Sequence, residues 1–219
     1  MDPVDEKRKK LFDSLIDMGI LKTKTIIKAF KDVPRHLFVP NDQLDYAYSD
    51  IVLPTIGNST ISQPATVATM LELLQPKEGD KILEIGTGSG WEACLLSKCV
   101  GEKGSIITIE ISPEVEGFAK SNMYRSKRKI DNIKMVIGDG SVGYPEGAPY
   151  NKIICTAAMP RIPQELIDQL KVGGRIVAPV GTVDLQIMKV VDKISQTETK
   201  VQDAGTFQFV PLKGRLGFG

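Results

Sequence analysis

The chain has one histidine, His36, and three cysteines, Cys94, Cys99 and Cys155, among 219 residues. A lone imidazole and the absence of a C-x-x-C pair argue against a zinc site, and no metal is expected. An odd number of thiols in apolar surroundings (EACLLSKCV, KIICTAA) fits reduced, buried cysteines of a cytosolic protein better than a disulfide framework. No apolar run approaches the ~20 residues that span a bilayer. The N-terminal MDPVDEKRKK is charged where a signal peptide would be apolar, so secretion and membrane insertion are disfavoured and a cytoplasmic location is expected. A dominant sign of charge is missing as well. The net charge is +1, and basic residues are scattered except for the run RSKRK from Arg125 to Lys129. That run reads as the solvated end of a surface helix, and no nucleic-acid partner is expected.

What is present is an ordinary globular balance of 42% hydrophobic and 25% charged residues, in a chain long enough for one sizeable core. One domain is expected, with residues 1–64 as N-terminal helices and active-site loop, 65–181 as an α/β core, and 182–219 as C-terminal strands. Leu11, Leu15 and Ile16, then Ile26, Ile27 and Phe30, recur at helical spacing around Gly19 and stop at Pro34, which predicts two short helices and a turn. The proline- and glycine-bearing stretch from Pro40 to Pro64 reads as an irregular loop, and a loop this long is usually functional. Pro64 opens a helix through Leu74, with Ser62 placed to cap it. From there KILEI, IITIEI, IKMVIG, KIICTAA and GRIVAPVG read as strands. They alternate with helices at Trp91 to Val100, Pro113 to Tyr124 and Pro163 to Leu170. The pattern predicts a doubly wound α/β fold: a mostly parallel sheet with helices on both faces. LQIMKVVDKI and TFQFVPLKG are candidates for antiparallel strands at its edge.

The most informative run is KILEIGTGSG, where an apolar strand delivers Glu84 and then Gly86, Thr87, Gly88 and Gly90 into the turn before a helix. Glycines there let backbone amides approach a ligand at the carboxyl end of the first strand. The G-x-G-x-x-G spacing of nicotinamide enzymes would place a third glycine where Trp91 stands, so the run instead resembles motif I of class I methyltransferases. S-adenosylmethionine carries a sulfonium and an amino acid in place of a pyrophosphate. An acidic Glu84 can therefore serve its cationic end or orient the loop, where a pyrophosphate would be repelled. Glu110, at the end of the second strand, is placed to accept hydrogen bonds from a ribose diol. Asp139 and Gly140, after the third strand, fall where such enzymes meet the adenine amine. A strand-end turn for Glu84 or Glu110, and ordinary turn chemistry for Asp139, are the structural alternatives.

Further motifs add a narrower resemblance. VPRHLFVP (Val33 to Pro40), GNSTISQP (Gly57 to Pro64), LEIGTGSGW, GDGSVGYPEGAPY, PRIPQELIDQLKVGGRIVAPVG (Pro160 to Gly181) and FVPL (Phe209 to Leu212) resemble the protein-L-isoaspartate O-methyltransferase family in that family's own order. The resemblance implies methyl transfer from S-adenosylmethionine to the free α-carboxylate of isoaspartyl residues in damaged proteins, without a metal. It implies Ser62 as the catalytic residue of the T-I-S motif, and cofactor contacts from Ser59, Thr60, Ile61, Ser62, Glu84, Gly86, Thr87, Gly88, Glu110, Asp139 and Gly140. Substrate contacts fall to Ile61, Ser62 and Val210, with an extended peptide between the loop from Tyr46 to Ser62 and the FVPL segment. Ala65 and Lys213 depart from the pattern, since some relatives carry His and Thr there. The family is mostly monomeric, so a monomer is expected; the N-terminal helices and the segment 184–202 are the surfaces that could support a homo-oligomer. The alternative is a methyltransferase for a small molecule or a nucleic acid, but neither a basic stripe nor an N/D-P-P-Y/F motif is present.

Overall fold

The computed structural model describes residues 3–126 and 131–218, so Lys127, Arg128 and Lys129 of the basic run lie outside the described residues. Helix α1 (Pro3–Asp17) and helix α2 (Lys24–Asp32) are joined by a turn at Gly19, whose φ of 66° is a conformation glycine adopts without strain. Leu11, Phe12 and Leu15 of α1 and Ile26, Ala29 and Phe30 of α2 are buried at helical spacing. Phe30 meets Phe12 and Trp91 edge-on, with ring centroids 5.8 and 5.5 Å apart, which ties both helices to the body of the protein.

The stretch from Pro40 to Pro64 is more ordered than the sequence suggests. It holds a 3-10 segment (Asn41–Tyr46) and a small antiparallel hairpin of β1 (Leu53–Pro54) and β2 (Thr60–Ile61). Gly57 and Asn58 take φ of 58° and 61° between the strands, the positive values that tight hairpin turns demand. Helix α3 (Pro64–Leu74) then starts with Pro64 as expected, but Ser62 is not its cap. Gln63 occupies that position without a side-chain bond. Asp50 caps the helix from a distance instead, its Oδ1 accepting the Ala65 amide at 2.8 Å and its Oδ2 the Gln63 side chain at 3.0 Å.

The remaining elements are β3 (Lys81–Ile85), α4 (Trp91–Val100), β4 (Ser105–Glu110), α5 (Pro113–Arg125), β5 (Ile133–Ile137), β6 (Tyr150–Cys155), α6 (Gln164–Asp168), β7 (Leu170–Gly181), β8 (Gln186–Lys193) and β9 (Thr199–Phe207). They form a seven-stranded sheet in the order β5-β4-β3-β6-β7-β8-β9. The five strands from β5 to β7 are parallel, and β8 and β9 extend the sheet antiparallel. Ile82 faces the core shared by α1 to α4, while Leu83 and Ile85 face a second core that includes Leu166 of α6. By the same alternation Glu84 shares the face of Ile82, beneath α4. Among the described residues no helix is long and apolar enough to cross a membrane.

Two boundaries differ from the sequence reading. The helix expected from Pro163 to Leu170 ends at Asp168, because Leu170 is already paired with Tyr150 in the β6–β7 ladder and buried at 2% exposure. The last strand covers Thr199–Phe207 rather than TFQFVPLKG. Past Phe207 the chain leaves the ladder: the Phe209 amide donates to the Gln186 side chain at 2.8 Å, and Pro211 has no N–H to offer. The chain crosses instead to Ala158, whose amide donates to Val210 at 2.8 Å and whose carbonyl accepts from Leu212 at 2.7 Å. FVPL is thereby carried over the carboxyl end of the parallel strands.

Candidate active site

The strand order reverses between β3 and β6, and at that point a cavity of about 940 Å³ opens at the carboxyl end of the sheet. Its walls are the hairpin residues Ser59 to Gln63, the first two turns of α3, the glycine turn with Trp91 and Glu92, Thr156 and Ala157 after β6, Val183 and Asp184, and the crossing segment Thr206 to Pro211. The sequence-predicted residues Ser59, Thr60, Ile61, Ser62, Gly86, Thr87, Gly88 and Val210 are thus brought together around one space. Ala65 also lines it, whereas Lys213 does not.

The glycine turn has the backbone its sequence requires. Gly86, Gly88 and Gly90 take φ of 94°, 52° and 82°, and the Gly86 and Thr87 amides both donate to the Ile109 carbonyl, at 2.9 and 3.2 Å. A Cβ on Gly86 would stand 2.5 Å from Thr156 Oγ1, whose hydroxyl donates to the Gly86 carbonyl at 2.7 Å. A Cβ on Gly90 would meet Met123 Cε at 2.7 Å.

Beneath this turn lies a buried polar chain. Thr108 donates to Glu84 Oε2 at 2.5 Å, which commits its proton and leaves it to accept from Thr87 Oγ1 at 2.7 Å. Glu84 is fully buried, outside the cavity lining, and among the described residues its Oε1 has no partner. Desolvation, then the charges of Glu92 and Glu110, push its carboxyl well above the usual range, against the pull of the Thr108 hydrogen bond. Glu110 sits behind Gly88, its Oε2 accepting the Gly88 amide and its Oε1 the Ser112 amide, each at 3.1 Å.

Asp139 and Gly140 stand apart from the cavity lining. Asp139 Oδ1 accepts the Ser141 amide at 2.9 Å and Oδ2 the Arg215 amide at 2.8 Å. Partial burial raises this carboxyl, but the hydrogen bonds from Ser141 and Arg215 outweigh it and hold the group below its ordinary value. Gly140 is buried against Ile85, whose Cγ2 would lie 2.7 Å from an added Cβ.

The hairpin is fixed from within and from below. Ser59 donates to the Ile56 carbonyl at 2.8 Å and is 2.5 Å from Thr55 Oγ1, so Thr55 must supply the proton between them. The fully buried Arg35 donates to the carbonyls of Ala47, Ile51, Ile61 and Ser62, at 2.8, 3.0, 3.4 and 3.0 Å, while its guanidinium lies 5.6 Å from the Trp91 ring. Among the described residues the Ser62 hydroxyl has no partner, although its carbonyl is held by Arg35.

A model of the protein-L-isoaspartate(D-aspartate) O-methyltransferase family matches residues 6–217. This chain belongs to that family. Its curated relatives include the protein-L-isoaspartate O-methyltransferase of Methanopyrus kandleri, 42% identical over 96% of this chain and 93% of the relative. Another is protein-L-isoaspartate O-methyltransferase 2 of Archaeoglobus fulgidus, 44% identical over 98% of this chain and 96% of the relative. A solved protein-L-isoaspartate O-methyltransferase superposes with a TM-score of 0.86 at 33% identity, covering 96% of this chain and 67% of the other. A Plasmodium falciparum structure bound to S-adenosyl-L-homocysteine superposes with a TM-score of 0.84 at 21% identity, over 94% and 98% of the two chains, and shows the shared fold.

Sequence reasoning missed several residues that build this cavity and its supports. Thr108, inside an apolar strand, and Thr156, just after one, are neutral hydroxyls, and only the tertiary structure gives them carboxylate and carbonyl partners. Asp50 sits in a loop, 15 residues from the amide it caps. Arg35 lies within VPRHLFVP, a run quoted for its resemblance alone, where an arginine between Pro34 and His36 gives no sign of complete burial. Glu92, on the second residue of α4, reads as a favourable acidic residue in a first helical turn, yet it lines the cavity at 7% exposure.

Proposed function

We infer that this chain is a protein repair methyltransferase, transferring a methyl group from S-adenosylmethionine to the free α-carboxylate of L-isoaspartyl residues and so starting their conversion to aspartyl residues. Membership of the family over residues 6–217 carries the reading, and the cavity at the strand-order reversal supports it. S-adenosylmethionine, when bound, supplies an electrophilic methyl group on a sulfonium. The residues present fit it: a cradle at Gly86 that a Cβ would fill, an unpartnered buried oxygen on Glu84, and Glu110 directly behind the Gly88 amide. In this reading Gly86, Thr87 and Gly88 present the backbone, Glu84 supports the cationic end, Glu110 takes the ribose hydroxyls, and Ser59 to Ser62 close over the cofactor. Asp139 and Gly140 shape the adenine end from behind Ile85, with Asp139 also accepting the Arg215 amide and Ser141 Oγ the Leu216 amide.

The chemistry asks little of acid or base groups. An aspartyl-type carboxylate with a pKa of ~3.9 is already an anion at neutral pH, so no general base is needed. Rate then comes from holding its oxygen in line with the methyl group at ~3 to 3.5 Å, an effect worth several kcal/mol. In this reading the Ser62 hydroxyl, without a partner among the described residues and with its carbonyl held by Arg35, donates to that carboxylate. Ile61 and Val210 line the same space from the hairpin and the crossing segment, leaving room for an extended peptide between them. One chain contributes every residue named, so the reading takes residues 1–219 as one catalytic domain and needs no second copy. The burial of Cys94, Cys99 and Cys155 agrees with a reducing, cytoplasmic setting.

The deciding assay is transfer of labelled methyl from S-adenosylmethionine to a synthetic isoaspartyl peptide, beside the same peptide with ordinary aspartate. Labelling of the isoaspartyl form alone is expected. If neither is labelled while S-adenosylhomocysteine still binds, the substrate assignment is wrong and the methyltransferase fold stands.

A further inference from the structure

Glu92 plays no part in the mechanism above, and its surroundings are unusual. It is buried to 7% exposure, borders the cavity, and its Oε1 has no hydrogen-bond partner among the described residues. Glu84 Oε1, on the face of β3 beneath α4, is unpartnered too. A buried polar oxygen left unpaired costs free energy, and two acidic ones close together cost more. The titratable groups that act on this pair from the packed elements are Glu110 of β4 and Cys155 of β6. Burial, with smaller contributions from Glu92 and Glu84, lifts the Cys155 thiol to about 12, so it stays neutral. Among the described residues no ion pair reaches either carboxylate. One oxygen of each carboxyl is thus left without a partner among the described residues, and Glu92 borders an open space, an arrangement that a cationic ligand with N–H donors would complete.

The sheet order indicates which cation. On the reading above, the ribose falls to Glu110 at the end of β4 and the adenine to the side of β5, so the amino-acid end of the cofactor lies toward β3 and β6. Glu92 is within electrostatic reach of Glu84 on β3 and Cys155 on β6. We propose that Glu92 is the cavity-facing anionic seat for the ammonium group of S-adenosylmethionine, with Glu84 buried behind it. A consequence concerns protons. In the free protein desolvation pushes the Glu92 carboxyl up to about 8, so at neutral pH it is mostly protonated. Arrival of the ammonium favours the carboxylate; the carboxyl O–H bond breaks, its proton passes to solvent, and the carboxylate oxygen accepts an ammonium N–H. Binding should then tighten as pH rises toward 8, by up to about tenfold per unit where one proton is released.

The test is calorimetric titration of the full chain with S-adenosylhomocysteine at pH 6, 7 and 7.7, in two buffers of different ionisation enthalpy, repeated with Glu92→Gln. 5′-Methylthioadenosine, which lacks the amino-acid end, serves as the control ligand. The wild type is expected to release most of one proton on binding S-adenosylhomocysteine at pH 7 and none on binding methylthioadenosine. Glu92→Gln should lose that release and the rise with pH, so that at pH 7.7 it binds S-adenosylhomocysteine at least fivefold more weakly than the wild type. Its unchanged affinity for methylthioadenosine would show that the fold and the adenosine site survive. Equal proton release and equal affinity in the two proteins would overturn the seat while leaving the cofactor reading intact. Failure of the wild type to bind S-adenosylhomocysteine at all would remove the cofactor reading on which the inference rests.

Discussion

Replacing Arg35 by methionine removes a side chain that holds both ends of the loop over the candidate site. Arg35 bonds the carbonyls of Ala47 and Ile51 at the start of that loop and those of Ile61 and Ser62 at its end, all from a fully buried guanidinium. Desolvation lowers its pKa from 12.5 to about 10, only partly offset by the nearby Asp50 carboxylate. At about 1.4 kcal/mol per unit, keeping the charge buried costs roughly 3 kcal/mol. Hydrogen bonds from a charged donor contribute about 1.5 to 3 kcal/mol each, so four of them outweigh that cost. Methionine recovers the apolar contacts and removes the desolvation cost, but it leaves four carbonyls without their donor. The expected net loss is about 2 to 4 kcal/mol in denaturant unfolding. Because the Ser62 carbonyl is among those released, kcat/KM for an isoaspartyl peptide should also fall at least tenfold at a temperature where the variant is fully folded. Arg35→Lys, which can reach fewer of the carbonyls, should fall between the two. A methionine variant within 1 kcal/mol of the wild type and with unchanged kcat/KM would refute the view that this arginine sets the loop.

Ser62→Ala should lower kcat/KM by about 3- to 100-fold, the range for a hydrogen bond of ~0.7 to 3 kcal/mol to a charged acceptor; S-adenosylhomocysteine affinity should change by less than about threefold, and complete loss of that binding would mean the serine has been given the wrong role. Gly86→Ala puts a side chain at φ 94° with its Cβ 2.5 Å from Thr156 Oγ1, so cofactor affinity should drop more than tenfold, with a stability loss of about 2 kcal/mol, both read by titration and thermal unfolding. Arg175 holds Asp192 through two hydrogen bonds of 2.7 and 3.0 Å, which depresses the Asp192 pKa. A depressed carboxyl stabilises the fold above its unfolded pKa of ~3.9 and loses that contribution as pH falls through the folded value. Asp192→Asn should therefore cost about 1 kcal/mol or less at pH 7, the pair being partly exposed, and the difference from wild type should shrink below pH 4 in acid-unfolding curves.

The parts of this protein that were legible in its sequence are those that repeat a local period or a local turn. Lys81 to Ile85, Ser105 to Glu110 and Tyr150 to Cys155 are short apolar runs between helical segments, and a buried parallel strand looks like that wherever it occurs. Gly86, Gly88 and Gly90 declared a tight turn because few other residues tolerate their φ values. The boundary errors have the opposite origin. Thr199 to Val201 belong to an exposed edge strand, so no apolar alternation marks them. The neighbouring FVPL is apolar because it covers the sheet's carboxyl end, although it joins no ladder there beyond a bridge to Ala158. Ser62 has the composition of a helix cap and stands one residue too early to be one, while the true cap, Asp50, is 15 residues from the amide it serves.

The same contrast governs the site. Gly88 and Glu110 are 22 residues apart, yet a strand-end rule places them together, because adjacent parallel strands present their carboxyl ends side by side. No such rule reaches Arg35 or Glu92. Arg35 is charged and fully buried, against the usual preference of its residue type, and only the folded loop reveals the four carbonyls that make this tolerable. Glu92 breaks the same preference without any internal partner for its Oε1. The two differ in degree: the chain gives the Arg35 guanidinium four carbonyl acceptors and leaves its Nε without a partner among the described residues, whereas among the same residues no cation pairs with Glu92. On that difference Arg35 should be judged by stability and loop geometry, and Glu92 by the protons and the cation it exchanges when the cofactor binds.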